Sequence, residues 1–234
     1  MSYRGNIKQG WTLKSKSGKA KMYQGRGLVV RPSKMTTGYQ KGLQRAYAKE
    51  KGYVDLASAS YALDTTGSVT LLNTVAQGAG VTQRVGKKIV MKGLQMRGYI
   101  ANNSNADAVS LAYMIVYDKR PTGALPAVTD ILVSASTRAM NNDANAGRFR
   151  ILKRVDEVLI GNESAFANLH DHTRKVASCW LDLKSLPVTY KAAGTGAIGD
   201  IEEGALYLVT VGDEPAGTSA AALTAGFRMR FLDV

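Results

Sequence analysis

Phe227-Arg228-Met229-Arg230-Phe231-Leu232, near the end of the 234-residue chain, alternates apolar and cationic side chains. In an extended chain successive side chains point to opposite faces. Phe227, Met229 and Phe231 therefore share one face, and Arg228 and Arg230 share the other. A helical period would scatter both sets around the circumference, so the stretch reads as a strand with one buried face. Leu94, Met96, Gly98 and Ile100 repeat the pattern against Gln95, Arg97 and Tyr99.

Working outward, Leu111–Tyr117 and Ala205–Val211 are apolar on both faces, as expected of strands inside a sandwich. Further strands are predicted at Tyr53–Leu63, Thr70–Val75, Lys87–Met91 running into 94–100, Arg148–Ile160 and Lys175–Leu183, with a weaker one at Val188–Lys191. Turn chemistry separates them at Thr66-Gly67, Gln77-Gly78-Ala79-Gly80, Arg120-Pro121-Thr122-Gly123, Gly194-Thr195-Gly196 and Gly212-Asp213-Glu214-Pro215. The expected fold class is all-β, about eight strands in one sandwich. That is a jelly-roll or other Greek-key number, and periodicity alone leaves the two open.

Charge divides the chain. Residues 1–52 hold 13 Lys/Arg and one acid, Glu50, for a net +12, while residues 53–234 hold 18 basic and 17 acidic residues. The expected domains are a basic N-terminal arm, 1–52, and a β body, 53–234. The arm is punctuated by glycine and reads as a flexible polycation, with one short helix expected around Leu43–Tyr47. Aromatic residues, Trp11 and Tyr23 among them, interleave with the cations. Cations neutralise phosphates and rings stack on unpaired bases, so the mixture suits single-stranded nucleic acid. The candidate contacts in the arm are Arg4, Lys8, Trp11, Lys14, Lys16, Lys19, Lys21, Tyr23, Arg26, Arg31 and Lys34. In the body, Arg148 and Arg150 are expected to share one strand face, as are Arg228 and Arg230, and could extend a phosphate-binding surface.

Other chemistry is poorly represented. One cysteine excludes a disulfide framework, and Cys179 beside Trp180 reads as a structural thiol. His170-Asp171-His172 lacks a third metal ligand, so it reads as a polar loop. The acid pairs Asp156/Glu157 and Glu202/Glu203 are adjacent, so on a strand they face opposite ways and make no acid–base couple. Gly80 to Gly86-Lys87-Lys88 has the wrong spacing for a phosphate loop, and Lys88 replaces its hydroxyl. No cofactor, metal or catalytic residue is expected, and neither a secretion leader nor membrane insertion.

The order of motifs resembles a known family. Thr70-Leu71-Leu72-Asn73, Ala76-Gln77-Gly78, Arg84-Val85-Gly86-Lys87-Lys88-Ile89 and Arg97-Gly98 come first. Val116-Tyr117-Asp118-Lys119-Arg120-Pro121, Arg148-Phe149-Arg150-Ile151-Leu152 and Gly204-Ala205-Leu206-Tyr207-Leu208-Val209-Thr210 follow. Together they resemble the capsid proteins of small circular Rep-encoding single-stranded DNA viruses, and the Tyr117–Pro121 stretch is similar to geminivirus coat proteins. The resemblance implies an eight-stranded jelly roll and a homo-oligomeric icosahedral shell of about 60 copies with the arm inward. Its cargo would be circular single-stranded DNA, or RNA when expressed recombinantly. It further implies the nuclear import machinery as a partner, with location in the virion and, during assembly, the host nucleus. Loops near 77–86, 102–108, 120–147 and 161–174 would make subunit contacts. Two other classes stay open on the residues alone. One is a non-assembling single-strand-binding or movement-type protein, and the other a jelly-roll enzyme or carbohydrate binder with an incidental tail.

Overall fold

Alternating apolar residues become strands here because each strand can bury one face against a second sheet. The structure, a computed structural model, describes residues 51–102, 108–160, 174–191, 194–216 and 221–234, with the backbone of Lys14–Ser15 and Gly18–Lys19. The chain divides into two compact units, Met1–Ala48 and Lys49–Val234. In the first, β1 (Lys14–Ser15) pairs antiparallel with β2 (Gly18–Lys19). The other arm candidates and the helix expected near Leu43–Tyr47 lie outside the described residues, as does His170-Asp171-His172.

In the second unit the strands are β3 (Lys51–Ala62), β4 (Ser68–Leu71), β5 (Lys88–Asn102), β6 (Val109–Asp118) and β7 (Phe149–Leu159). They continue as β8 (Arg174–Val176), β9 (Cys179–Tyr190), β10 (Ile201–Glu203), β11 (Ala205–Gly212) and β12 (Ala221–Asp233). One sheet has the order β10-β9-β5-β12-β3, with β8 also on β5, and the other has β4-β11-β6-β7. Every pairing between these strands is antiparallel. Among the eight principal strands, each connection except β6 to β7 passes from one sheet to the other, and the last strand lies beside the first. That is the jelly roll, which the strand order separates from other Greek keys.

Three boundaries differ from expectation. The strand expected at Lys175–Leu183 divides into β8 and β9, with Ala177 and Ser178 between them. β4 stops at Leu71, not Val75, because the Asn73 side chain replaces the ladder. Its Nδ2 donates to the Gly204 carbonyl at 2.9 Å and its Oδ1 accepts from Leu206 N–H at 3.0 Å. The expected break between 183 and 188 does not occur: β9 runs through it. Lys184 and Ser185 take left-handed φ of 49° and 66°. They loop out opposite Lys92, and pairing resumes at Leu186 with Met91.

β6 and β11 are buried on both faces, as their composition predicted. Leu94, Met96, Phe227, Met229 and Phe231 are among the buried side chains from the other sheet. Tyr117 links the sheets: its hydroxyl donates to the Pro187 carbonyl at 2.7 Å, and burial pushes its phenol up to about 12. Gly204, at φ +83°, is required there because a Cβ would run into the same Pro187 carbonyl oxygen.

The Tyr117–Pro121 motif is built on Asp118, whose side chain is fully buried. Its carboxylate accepts Arg120 N–H at 2.9 Å and holds the Arg148 guanidinium through Nε at 3.0 Å and Nη2 at 2.8 Å. Arg148 also lies 4.5 Å from the centre of the Phe149 ring. Removing the cation would strand a buried carboxylate. Arg148→Met is therefore expected to destabilise the body by about 3 kcal/mol, the low end for a broken buried pair, because Arg120 N–H still donates. Urea denaturation checks this. A loss under about 1 kcal/mol would mean the pair behaves like a surface one.

Candidate nucleic-acid interface

The outer faces of the two sheets differ. Over the four-stranded sheet lies the segment joining β6 to β7. It carries the short helix α1 (Val128–Ile131), whose Val128 and Ile131 are buried. Arg154 of β7 fastens this segment, donating to the carbonyls of Thr137 at 2.6 Å and Ala139 at 2.7 Å. The six-stranded sheet keeps side chains in the open, with Trp180 54% and Tyr99 40% exposed.

Register places a mixed surface there. Arg228 of β12 sits between Asp55 of β3 and Gln95 of β5, and Gln95 sits opposite Trp180 of β9. One row along, Arg230 sits between Tyr53 and Gly93, and Gly93 opposite Asp182. Between β3 and β12 runs an open groove of 450 Å³ lined by Lys51, Tyr53, Lys92, Arg228, Arg230 and Leu232 among others. Arg97 is exposed on β5 nearby.

The cations are held in different ways. Arg228 makes a two-point ion pair with Asp55, Nε to Oδ1 at 2.7 Å and Nη2 to Oδ2 at 2.6 Å, and lies 4.8 Å from the Tyr53 ring centre. The hydrogen bond from Arg228 holds the Asp55 carboxyl below its ordinary value, so it is charged at neutral pH. Arg230 lies 5.2 Å from the Trp180 ring centre. Lys92 donates to the Ser185 hydroxyl at 2.6 Å and has no ion pair among the described residues. Cations beside exposed rings on one face can hold phosphates and stack unpaired bases.

The structure brings Arg228 and Arg230 together on this face, as their spacing predicted. It separates Arg148 from Arg150. Arg148 precedes β7 and is committed to Asp118, whereas Arg150 is exposed in β7 with no ion pair among the described residues. Their expected common face is corrected accordingly: the buried carboxylate captures Arg148. Sequence reasoning passed over Trp180, Tyr53, Lys51 and Lys92. Trp180 was legible in the alternation Cys179, Leu181, Leu183 against Trp180, Asp182. Lys92 was not, because the β9 bulge determines its surroundings. Among the described residues no group of three or more His, Cys, Asp or Glu could hold a metal ion, and no helix is long and apolar enough to cross a membrane.

The profile of the geminivirus coat protein/nuclear export factor BR1 family matches residues 3–234. The chain is 27% identical over 172 residues to the capsid protein of Miscanthus streak virus (isolate 91), covering 66% of this chain and 68% of that one. It is also 27% identical over 173 residues to the coat protein of Maize white line mosaic Satellite virus, covering 73% and 75%. A solved structure of Desmodium yellow mottle tymovirus aligns over 80% of this chain and 86% of its own, at 12% identity and a TM-score of 0.32. The fold assignment rests on the strand order and not on that likeness.

Asp55 competes with phosphate for Arg228. Asp55→Asn is therefore expected to tighten binding of a single-stranded oligonucleotide and to steepen its log–log salt dependence by about 0.7, one added phosphate contact. Fluorescence anisotropy at several salt concentrations reads both. An unchanged slope would mean that Arg228 contacts no phosphate with or without Asp55.

Proposed function

We propose a packaging role for this chain, which belongs to the geminivirus coat protein/nuclear export factor BR1 family. A coat protein is a structural protein, not an enzyme, and its place is the virion. The finer reading is that about 60 copies close a small icosahedral shell around circular single-stranded DNA. The arm condenses that DNA through Lys14, Lys16, Lys19, Lys21, Arg26 and Arg31 foremost, and at about 60 copies it supplies roughly 700 positive charges. The run Lys14–Lys21 also serves nuclear import in this reading.

The observation that carries the proposal is the distribution of charge. A +12 segment precedes a nearly neutral jelly roll whose remaining exposed cations include a set on one open sheet face beside aromatic rings. Subunit contacts are supported by apolar side chains exposed on the loops: Val81 and Val85 near β5, and Leu125, Val133 and Met140 between β6 and β7. Exposed apolar groups gathered on loops suit burial against another copy.

Charge reversal at Lys14, Lys16, Lys19 and Lys21 tests packaging. The variant body is expected to keep its circular dichroism spectrum and melting temperature, while purified particles lose most of their nucleic acid. Unchanged nucleic-acid content per particle would reject the arm's role. Electron microscopy of the wild-type protein at low and high salt tests the shell. Monomers or dimers in every condition would favour the non-assembling single-strand-binding reading.

A further inference from the structure

Resting on that nucleic-acid reading, we propose that Trp180 and the groove between β3 and β12 form a one-nucleotide subsite for single-stranded nucleic acid. In it Lys51, Lys92 and Arg230 hold the phosphate and the indole stacks the base.

The indole is the first argument. Trp180 is a large aromatic residue left half exposed at the start of β9, where that strand pairs with β5 alone. Its position is prepared by Gly93 on the neighbouring strand. A Cβ at 93 would lie 2.5 Å from Trp180 Cζ2 and 2.8 Å from Cη2, so the six-membered ring occupies the space a side chain there would need. The ring reaches over Gly93 of β5, with more than half of the residue still open to solvent. The part of the ring that neither Gly93 nor Arg230 adjoins is open to a flat apolar partner. An unpaired base is such a partner, whereas bases inside a duplex hide their faces.

The charge around the ring is the second argument. Arg230 lies at the indole and no described carboxylate pairs with it. Lys92 spends one hydrogen bond on a neutral hydroxyl, and Lys51 lines the same groove. Arg228 is the exception, because Asp55 neutralises it. The groove therefore has a cationic side toward Lys92 and Arg230, where Asp182 accepts Lys184 N–H and forms no ion pair among the described residues, and a neutral side toward Asp55, which directs a phosphate to the first. At 450 Å³ it is of the size that holds a small ligand unit, not a duplex. Ring and cations adjoin through Arg230, as base and phosphate adjoin in a nucleotide.

The test uses the full chain, arm included, with two labelled probes of equal length: an oligothymidylate and an abasic deoxyribose-phosphate strand. Trp180→Ala is expected to weaken oligothymidylate binding roughly tenfold and to leave the abasic strand unchanged. Gly93→Ala, which displaces the indole without changing any charge, is expected to reproduce that loss. It also stands in if Trp180→Ala proves misfolded by circular dichroism. Gly226→Ala is the control, since its Cβ would meet nothing nearer than Ser58 N at 3.4 Å, and it should bind like the wild type. Arg230→Gln is expected to weaken both probes and to lower the salt slope by about 0.7. Wild-type affinity for oligothymidylate in Trp180→Ala and Gly93→Ala would overturn the subsite and leave packaging to the arm. Equal losses on both probes would overturn base stacking. A wild-type chain that bound neither probe would overturn the packaging reading as well.

Discussion

β12 carries two obligations that cannot be met independently. It lies between β3 and β5 in the six-stranded sheet, and its Phe227, Met229 and Phe231 must reach the core. The two-residue period then forces Arg228 and Arg230 outward. A register slip of one residue would bury two guanidiniums and expose two phenylalanines and a methionine, so packing fixes the register against a large penalty. The open face of the sheet is thus specified by the core behind it. Asp55, Gln95, Trp180, Tyr53 and Gly93 reach their places around the two arginines through the ladder that the buried side chains hold in register.

The polar groups inside the body serve geometry. Asn73 satisfies backbone groups on either side of Ala205 and accepts, through its own carbonyl, the Tyr190 hydroxyl at 2.8 Å. Arg84 is fully buried, donates to the carbonyls of Gly86 and Lys191, and lies 4.3 Å from the Tyr190 ring centre. Arg84 Nε has no hydrogen-bond partner among the described residues, so the contact with the Tyr190 ring and the two carbonyls hold the guanidinium in place. These networks occupy segments where the strands end. There, local hydrogen bonding replaces the ladder and the chain changes direction between sheets.

The same contrast explains what could be read from the residues. Strands β5, β6, β11 and β12 were legible because burial on one or both faces writes a period into the sequence. Arg228 and Arg230 on one outer face followed from that period directly. Asp118 and Arg148 were not legible as a pair, since their partnership spans 30 residues and nothing local distinguishes Arg148 from Arg150. Lys92 was hidden for a different reason. Left-handed Lys184 and Ser185 are non-glycine residues in a conformation that neither residue type announces. The seat for Trp180 was equally silent: a glycine in a strand signals a close approach but does not say which side chain approaches.

The arm and the sheet face would act on nucleic acid by different physics, and the difference bears on why one chain carries both. A polycationic segment gains from counterion release, a term that grows with each phosphate and is indifferent to where the strand runs. It gathers charge without ordering it. A ring seated on a strand backbone acts only at contact, changes little with salt, and has a fixed position in every subunit. If copies of the chain are related by symmetry, that position repeats, and a strand stacked on it takes up the spacing of the protein lattice. Under the proposed packaging role, the polycation would then offset the mutual repulsion of the phosphates while the sheet face would set the path. Asp55 belongs to this division. By cancelling Arg228 it lowers the charge on the face, so that under the proposed role stacking rather than bulk electrostatics would decide which segments of the strand remain there.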